Sequence, residues 1–129
     1  MGTFEDNWEL LVSTLKTAAA TLQVPEYAIE EGKNEEPTSA PFVWVYCIPA
    51  VKRVGESGGK LRRMNVSVFC GSTGTDLASA MKSALALAER VETSLENVKG
   101  FITFDIKYDD MYSDKTVVEL TGSMSYAKS

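Results

Sequence analysis

The chain has 129 residues, of which 44% are hydrophobic, and its formal net charge is −5 from 18 acidic and 13 basic side chains. A chain of this size forms one domain with its own core, so we expect a single domain over residues 1–129, and the acidic balance disfavours broad binding to nucleic acid. The chain has no histidine and only two cysteines, which excludes histidine-based catalysis and a zinc site made of Cys and His ligands.

No apolar run in the sequence is long enough to cross a bilayer. The first six residues, MGTFED, lack the basic start of a secretion signal. These two features predict a protein that is made and used in a cytoplasm.

An amphipathic helix is predicted first, followed by an acidic segment. Apolar residues at positions 4, 8, 11, 15, 18 and 22 line one helix face, and the Val24-Pro25 step predicts the helix end. Residues 25–41, the acidic segment, predict a long loop, which is uncommon in a compact domain unless it has a function. A solvated connector and an assembly contact are equally consistent with it. Its acidic side chains include Glu30, Glu31, Glu35 and Glu36.

Two strands are predicted next: residues 42–48 are rich in β-branched and aromatic residues, and residues 61–70 alternate between apolar and polar side chains. Gly58-Gly59 is a favoured hairpin turn, and a turn there would place Cys47 opposite Cys70. We expect both thiols to be buried and reduced, because the expected compartment is reducing.

The connection between these strands is basic. Two interpretations of this basic segment, residues 52–63, stay open: a solvated hairpin, or a surface that docks on an acidic partner such as the acidic segment of a neighbouring copy. Its basic side chains are Lys52, Arg53, Lys60, Arg62 and Arg63, opposed only by Glu56.

A second helix is predicted over residues 77–95, where an apolar stripe rich in alanine suits close packing on a sheet. The preceding turn, GSTG at 71–74, has neither the lysine of a Walker loop nor the spacing of a dinucleotide fingerprint. We interpret it as a structural turn, with Thr73 or Thr75 as the N-cap and Asp76 in the first helical turn.

The last predicted elements are two alternating strands, 102–108 and 116–126, which form a second hairpin with one wet face. Carboxylates near its tip have the chemistry to hold Mg²⁺ or Ca²⁺, but their spacing misses the calcium-loop pattern. Turn chemistry is therefore favoured, and no metal or cofactor site is predicted. These carboxylates are Asp105, Asp109, Asp110 and Asp114.

The predicted element order is α-β-β-α-β-β. Hairpins without a regular βαβ repeat predict an α+β fold, in which an antiparallel sheet of about four strands has two helices packed on one face.

Five features of the chain are shared with one family: a strand ending VSVF at 66–69, a helix opening at Asp76-Leu77, a strand over 101–108, the Asp109-Asp110 link and a closing strand over 117–126. In this order they resemble the tail terminator (tail completion) proteins of long-tailed bacteriophages. The resemblance covers nearly all of the chain and is one of pattern and length, because the family has no diagnostic motif.

The resemblance implies a structural virion protein, not an enzyme, made in the bacterial host cytoplasm. It implies a ring, typically a hexamer, that caps the tail tube and joins it to the head connector. The implied partners are further copies of the chain, the tail tube protein and the head connector protein, while DNA only passes through the channel and no membrane is involved.

The basic and acidic segments carry opposite charge, which permits the head-to-tail contacts that close a ring. Other functions stay open: another tail or head–tail connector component, a small cytoplasmic ligand- or peptide-binding α+β module, or an enzyme that uses Asp or Lys. The expected interface residues are Lys52, Arg53, Lys60, Arg62, Arg63, Glu30, Glu31, Glu35 and Glu36.

Overall fold

The computed structural model describes residues 2–32, 41–50, 61–109 and 116–127. These residues form three α-helices, one 3-10 turn and five strands. In chain order they are α1 (Phe4–Thr17), α2 (Ala19–Leu22), the 3-10 turn (Glu26–Ala28), β1 (Ile29–Glu31), β2 (Phe42–Pro49), β3 (Leu61–Ser72), α3 (Leu77–Leu95), β4 (Ile102–Asp109) and β5 (Thr116–Ala127).

The strands form one sheet in the order β1-β2-β3-β5-β4. β1 runs parallel to β2, and the other neighbours are antiparallel. The predicted α+β class is therefore confirmed, but the described sheet is mixed and has five strands, where an antiparallel sheet of about four was predicted, and the predicted order α-β-β-α-β-β lacks α2 and β1. The acidic segment was predicted to be a loop, and its first part instead forms the 3-10 turn and β1. A strand of three residues is too short for its alternation to be visible in the sequence.

Helices α1 and α3 contact each other and the same sheet, so they cover one face of it. Apolar side chains of both helices meet the alternate, inward-facing residues of β2, β3 and β5, which is the packing expected of this fold class. Alanines on α3 let its backbone approach the strands closely. The buried side chains at this contact include Leu11, Leu15, Ala84, Ala88, Val91, Val45, Val66, Val68 and Leu120.

Polar side chains connect the helices to the rest of the fold. Asn7 is buried, and its Nδ2 donates to the carbonyl of Ser125 at 3.0 Å. Trp8 Nε1 donates to the carbonyl of Val45 at 3.2 Å. These bonds satisfy carbonyls of β2 and β5 and fix α1 across the sheet.

The register of β2 and β3 differs from the predicted one. Cys47 pairs with Val66, and Cys70 pairs with Val43, so the predicted Cys47–Cys70 pairing is wrong. The two cysteines do lie on neighbouring strands and on one face, but four residues apart along the ladder, or about 13 Å at 3.3 Å per residue. That separation is too long for a disulfide, and both thiols are free and buried.

A shift of four residues keeps every side chain on its face, because side chains alternate with a period of two. The apolar pattern therefore could not distinguish the predicted register from the observed one. The Gly58-Gly59 turn on which the prediction depended lies outside the described residues.

Candidate assembly surfaces

The basic segment is described only at its C-terminal end. Arg62 and Arg63 lie in β3, paired with Tyr126 and Ser125 of β5. Because they are consecutive strand residues, their side chains point to opposite faces. Arg63 is exposed, whereas Arg62 is half-buried, and its buried Nη1 has no hydrogen-bond partner in the described part of the chain. The remaining predicted residues of this segment, Lys52, Arg53 and Lys60, lie outside the described residues.

The acidic segment is described as far as residue 32. Glu30 and Glu31 lie in β1 and pair with Trp44 and Val45 of β2. Glu30 is half-buried and Glu31 is exposed. Because β1 is the first strand in the sheet order, these two glutamates lie at the edge opposite β4. The predicted Glu35 and Glu36 lie outside the described residues.

The turn before α3 is capped differently from the prediction. Asp76, not Thr73 or Thr75, is the N-cap residue, and its carboxylate accepts a hydrogen bond from the Ser79 N–H at 2.7 Å. The turn also lies close to the helix, because a Cβ added at Gly74 would lie 2.6 Å from the Ala80 nitrogen. Aspartate is among the preferred N-cap residues. The Asp76 carboxylate accepts a hydrogen bond from a backbone N–H that a bound anion would otherwise use.

Of the four aspartates near the tip of the second hairpin, the structure describes only the two in β4. Asp105 pairs with Thr121 and Asp109 with Val117, while residues 110–115 lie outside the description. Within the described ranges, no three Cys, Asp or Glu side chains are grouped so that they could hold a metal ion.

Burial makes both cysteines unreactive. Burial raises the pKa of Cys47 to about 12, with a smaller contribution from the negative charge of Glu31. Burial also raises the pKa of Cys70 to about 12, and the positive charge of Arg90 opposes this shift. A thiolate is the reactive form of cysteine, so these two side chains act as small apolar groups.

Two clefts lie beside α3. One has a volume of about 260 Å³ and includes Gln23, Ser72, Ser83 and Arg90 in its lining. The other has a volume of about 230 Å³ and is lined on α3 by residues including Glu89 and Arg90. Both volumes are below the roughly 300–1,000 Å³ of typical ligand pockets.

Exposed apolar side chains are concentrated on β4, the last strand of the sheet. The exposed fractions of Ile102 and Phe104 are each 59%, and that of Tyr108 is 45%. The register of β4 with β5 shifts between Thr103 and Asp105, so Phe104 is the extra residue of a β-bulge. The alternation of 102–108 predicts a strand but not its place at the sheet edge, so this surface is not visible in the sequence.

Charged residues alternate with these apolar residues along β4. Asp105, Lys107 and Asp109 follow one another at every second position, so they share one face of the strand. Lys107 Nζ lies 3.8 Å from the Glu119 carboxylate of β5, and the Lys107 side chain is 60% exposed. A lysine with this exposure can also meet a second acidic partner.

The chain matches no protein-family model and no curated protein. Among the residues that the structure describes, no helix is both long and apolar enough to cross a membrane.

Proposed function

We propose that this protein is a structural subunit that assembles with copies of itself, and that the assembly is a tail terminator ring. Such a ring caps the tail tube of a long-tailed bacteriophage and joins it to the head connector. In this role the chain has no catalytic centre, and its function depends on its contact surfaces.

The observation that carries the first part of the proposal, assembly with further copies of the chain, is the concentration of exposed apolar groups on β4. Ile102, Phe104 and Tyr108 lie on one edge strand, and an exposed apolar edge is the kind of surface that protein partners cover. The two clefts beside α3 are each smaller than a typical ligand pocket. The α+β fold, with both main helices on one sheet face, agrees with the family resemblance.

The exposed charges of β1 and β3 support a ring with head-to-tail contacts. Glu31 lies on β1 at one sheet edge, and Arg63 is exposed on β3. Contacts between different surfaces of identical subunits close into rings when the rotation permits. Opposite charges at such a contact set its register and are weakened by salt.

The test is the mass and shape of the assembly, measured by light scattering and electron microscopy, with and without the tail tube protein of the same phage. The proposal expects rings of fixed subunit number that bind one end of the tube. Arg63→Glu should weaken these rings more at low salt than at high salt, while Lys99→Glu, at an exposed position after α3, should not. A chain that never binds the tube end and never forms rings would contradict the proposal.

A further inference from the structure

The side of β4 that faces away from β5, called the β4 edge below, carries hydrogen-bonding groups that have no strand partner within the described sheet. The Ile106 N–H donates to the carboxylate of Asp105, its neighbour on the same strand, at 2.9 Å. A backbone N–H that donates to the side chain of its neighbour lies on the open side of the strand. A carbonyl group of a second strand can replace the Asp105 carboxylate as the acceptor. An eight-residue edge with such donors is a template for strand pairing.

The sequence of β4 is complementary to itself when two copies run antiparallel about Ile106. In that register Ile106 meets Ile106 of the second copy, and Asp105 meets Lys107. By symmetry Lys107 then meets Asp105, so the contact contains two pairs of opposite charge. Phe104 meets Tyr108 in the same way, which brings together two exposed aromatic rings. Opposite charges and aromatic side chains are favourable when they face each other across an antiparallel pair.

Other registers of the same pairing are less favourable. A register centred on Lys107 brings two lysines together and sets Asp105 against Asp109 twice. A register centred on Asp105 brings two aspartates together. A register centred on Tyr108 again pairs Lys107 with Asp109, but within the described strand it forms one aromatic pair, Tyr108 with its own copy, where the register about Ile106 forms two. The charges and the aromatic pairs therefore select Ile106 as the centre.

We propose that the β4 edge binds a second copy of this chain, with the two β4 strands antiparallel about Ile106 and one sheet continuing across the contact. This contact is two-fold, so it closes after two copies. It is therefore separate from the head-to-tail contacts of a ring, and it joins two single subunits or two rings. The bulge at Phe104 interrupts the regular ladder at both ends of the contact, because Phe104 of each copy meets Tyr108 of the other, and it leaves Asp105 to Lys107 as the most regular part.

The expected dimer is weak. A contact of one strand per subunit falls at the small end of interface sizes, below about 1,200 Å² of total buried area, where complexes are transient. Association should therefore rise with protein concentration in the micromolar range and above. It should also decrease with salt, because two exposed charge pairs contribute to it.

The test uses charge reversal, read by sedimentation velocity over a concentration series. Asp105→Lys and Lys107→Glu each turn both cross-strand pairs into like charges, so each variant alone should dimerise at least about tenfold more weakly than wild type. An equimolar mixture of the two should form heterodimers, because every pair is again opposite in charge. The double variant, with both changes, should also dimerise. If rings form, the same changes should separate paired rings into single rings.

The matched control is Lys82→Glu, the same charge change at an exposed position on α3, which should dimerise like wild type. Circular dichroism of each variant checks that the fold is kept. Should a reversed variant unfold, Ile106→Cys gives an independent measurement, because oxidation should link two copies through this residue. Ile102→Cys is its control, since the two copies of residue 102 lie far apart in this register.

Three outcomes would overturn the proposal. One is a wild type that stays monomeric, or a ring that stays single, at high concentration. Another is dimerisation of both reversed variants at wild-type strength. The third is a mixture of folded variants that fails to associate. None of these results bears on binding to the tail tube, so failure here is distinguishable from failure of the ring proposal.

Discussion

Replacing Arg90 by methionine should destabilise the protein, because this side chain satisfies a carbonyl at the end of α2. Arg90 Nε and Nη2 donate to the Leu22 carbonyl at 3.3 and 3.1 Å. The last carbonyls of a helix have no partner inside the helix. Gln23, the residue that follows α2, has the left-handed backbone conformation. Arg90 therefore connects α3 to the chain turn after α2.

The magnitude follows from the kind of bond that is lost. A hydrogen bond to a charged donor contributes about 1.5–3 kcal/mol net, and a buried acceptor left without a partner costs a similar amount. Methionine keeps most of the aliphatic contact of Arg90, so we expect a loss of about 1.5–3 kcal/mol. Arg90→Lys should lose less, because an ammonium group can still donate one bond.

The assay is urea unfolding followed by circular dichroism, with Lys82→Met as the matched control on the same helix. Lys82 is exposed, so its replacement should change the free energy of unfolding by less than about 0.5 kcal/mol. A loss for Arg90→Met no larger than that of the control would refute this account of the α2–α3 connection.

Three further predictions concern other residues. The unfolded thiols ionise near pH 9.0, whereas Cys47 and Cys70 have pKa values of about 12 in the folded protein. These groups should therefore leave the free energy of unfolding unchanged below pH 9 and lower it between pH 9 and 12, by on the order of 1 kcal/mol per pH unit for each thiol. Urea unfolding of wild type and a Cys47→Ala/Cys70→Ala variant measures the difference. Rapid reaction of the native thiols with a thiol reagent would contradict their burial. Gly71→Ala should cost about 2 kcal/mol or more in thermal unfolding, because the added Cβ would lie 1.9 Å from the ring of Phe42; an unchanged melting temperature would show that the ring moves away freely. Gln23→Gly should stabilise the protein by about 0.5–1 kcal/mol, because Gln23 has a φ of 61°; a destabilised variant would show that the glutamine side chain makes a compensating contact.

The sequence predicted the main elements because their patterns are long. Helices α1 and α3 and strands β3, β4 and β5 carry clear periodicity over many residues, and β2 is a dense run of β-branched and aromatic residues. β1 was missed because three residues carry no usable period. The Cys47–Cys70 register was wrong because a four-residue slip leaves every side chain on the same face.

The candidate surface was harder to predict, because it depends on strand order. Arg62 and Arg63 are adjacent in the sequence and looked like one basic patch, but the strand separates them onto opposite faces. Phe104 and Tyr108 looked like core residues of an alternating strand, and their exposure follows from the position of β4 outside β5. Contacts distant in sequence decide that position, and local patterns do not encode them.

The place of β5 in the sheet has a consequence for synthesis on the ribosome. β5 lies between β3 and β4 and pairs with both along most of its length, yet it is the last of the five strands to be translated. Until it emerges, β4 has no neighbour in the described sheet and one edge of β3 is unpaired. The sheet therefore cannot be completed before β5 is translated, and the decisive pairing step follows translation of β5. In that interval the two strands that will flank it are exposed to other nascent chains, which favours chaperone binding at this stage.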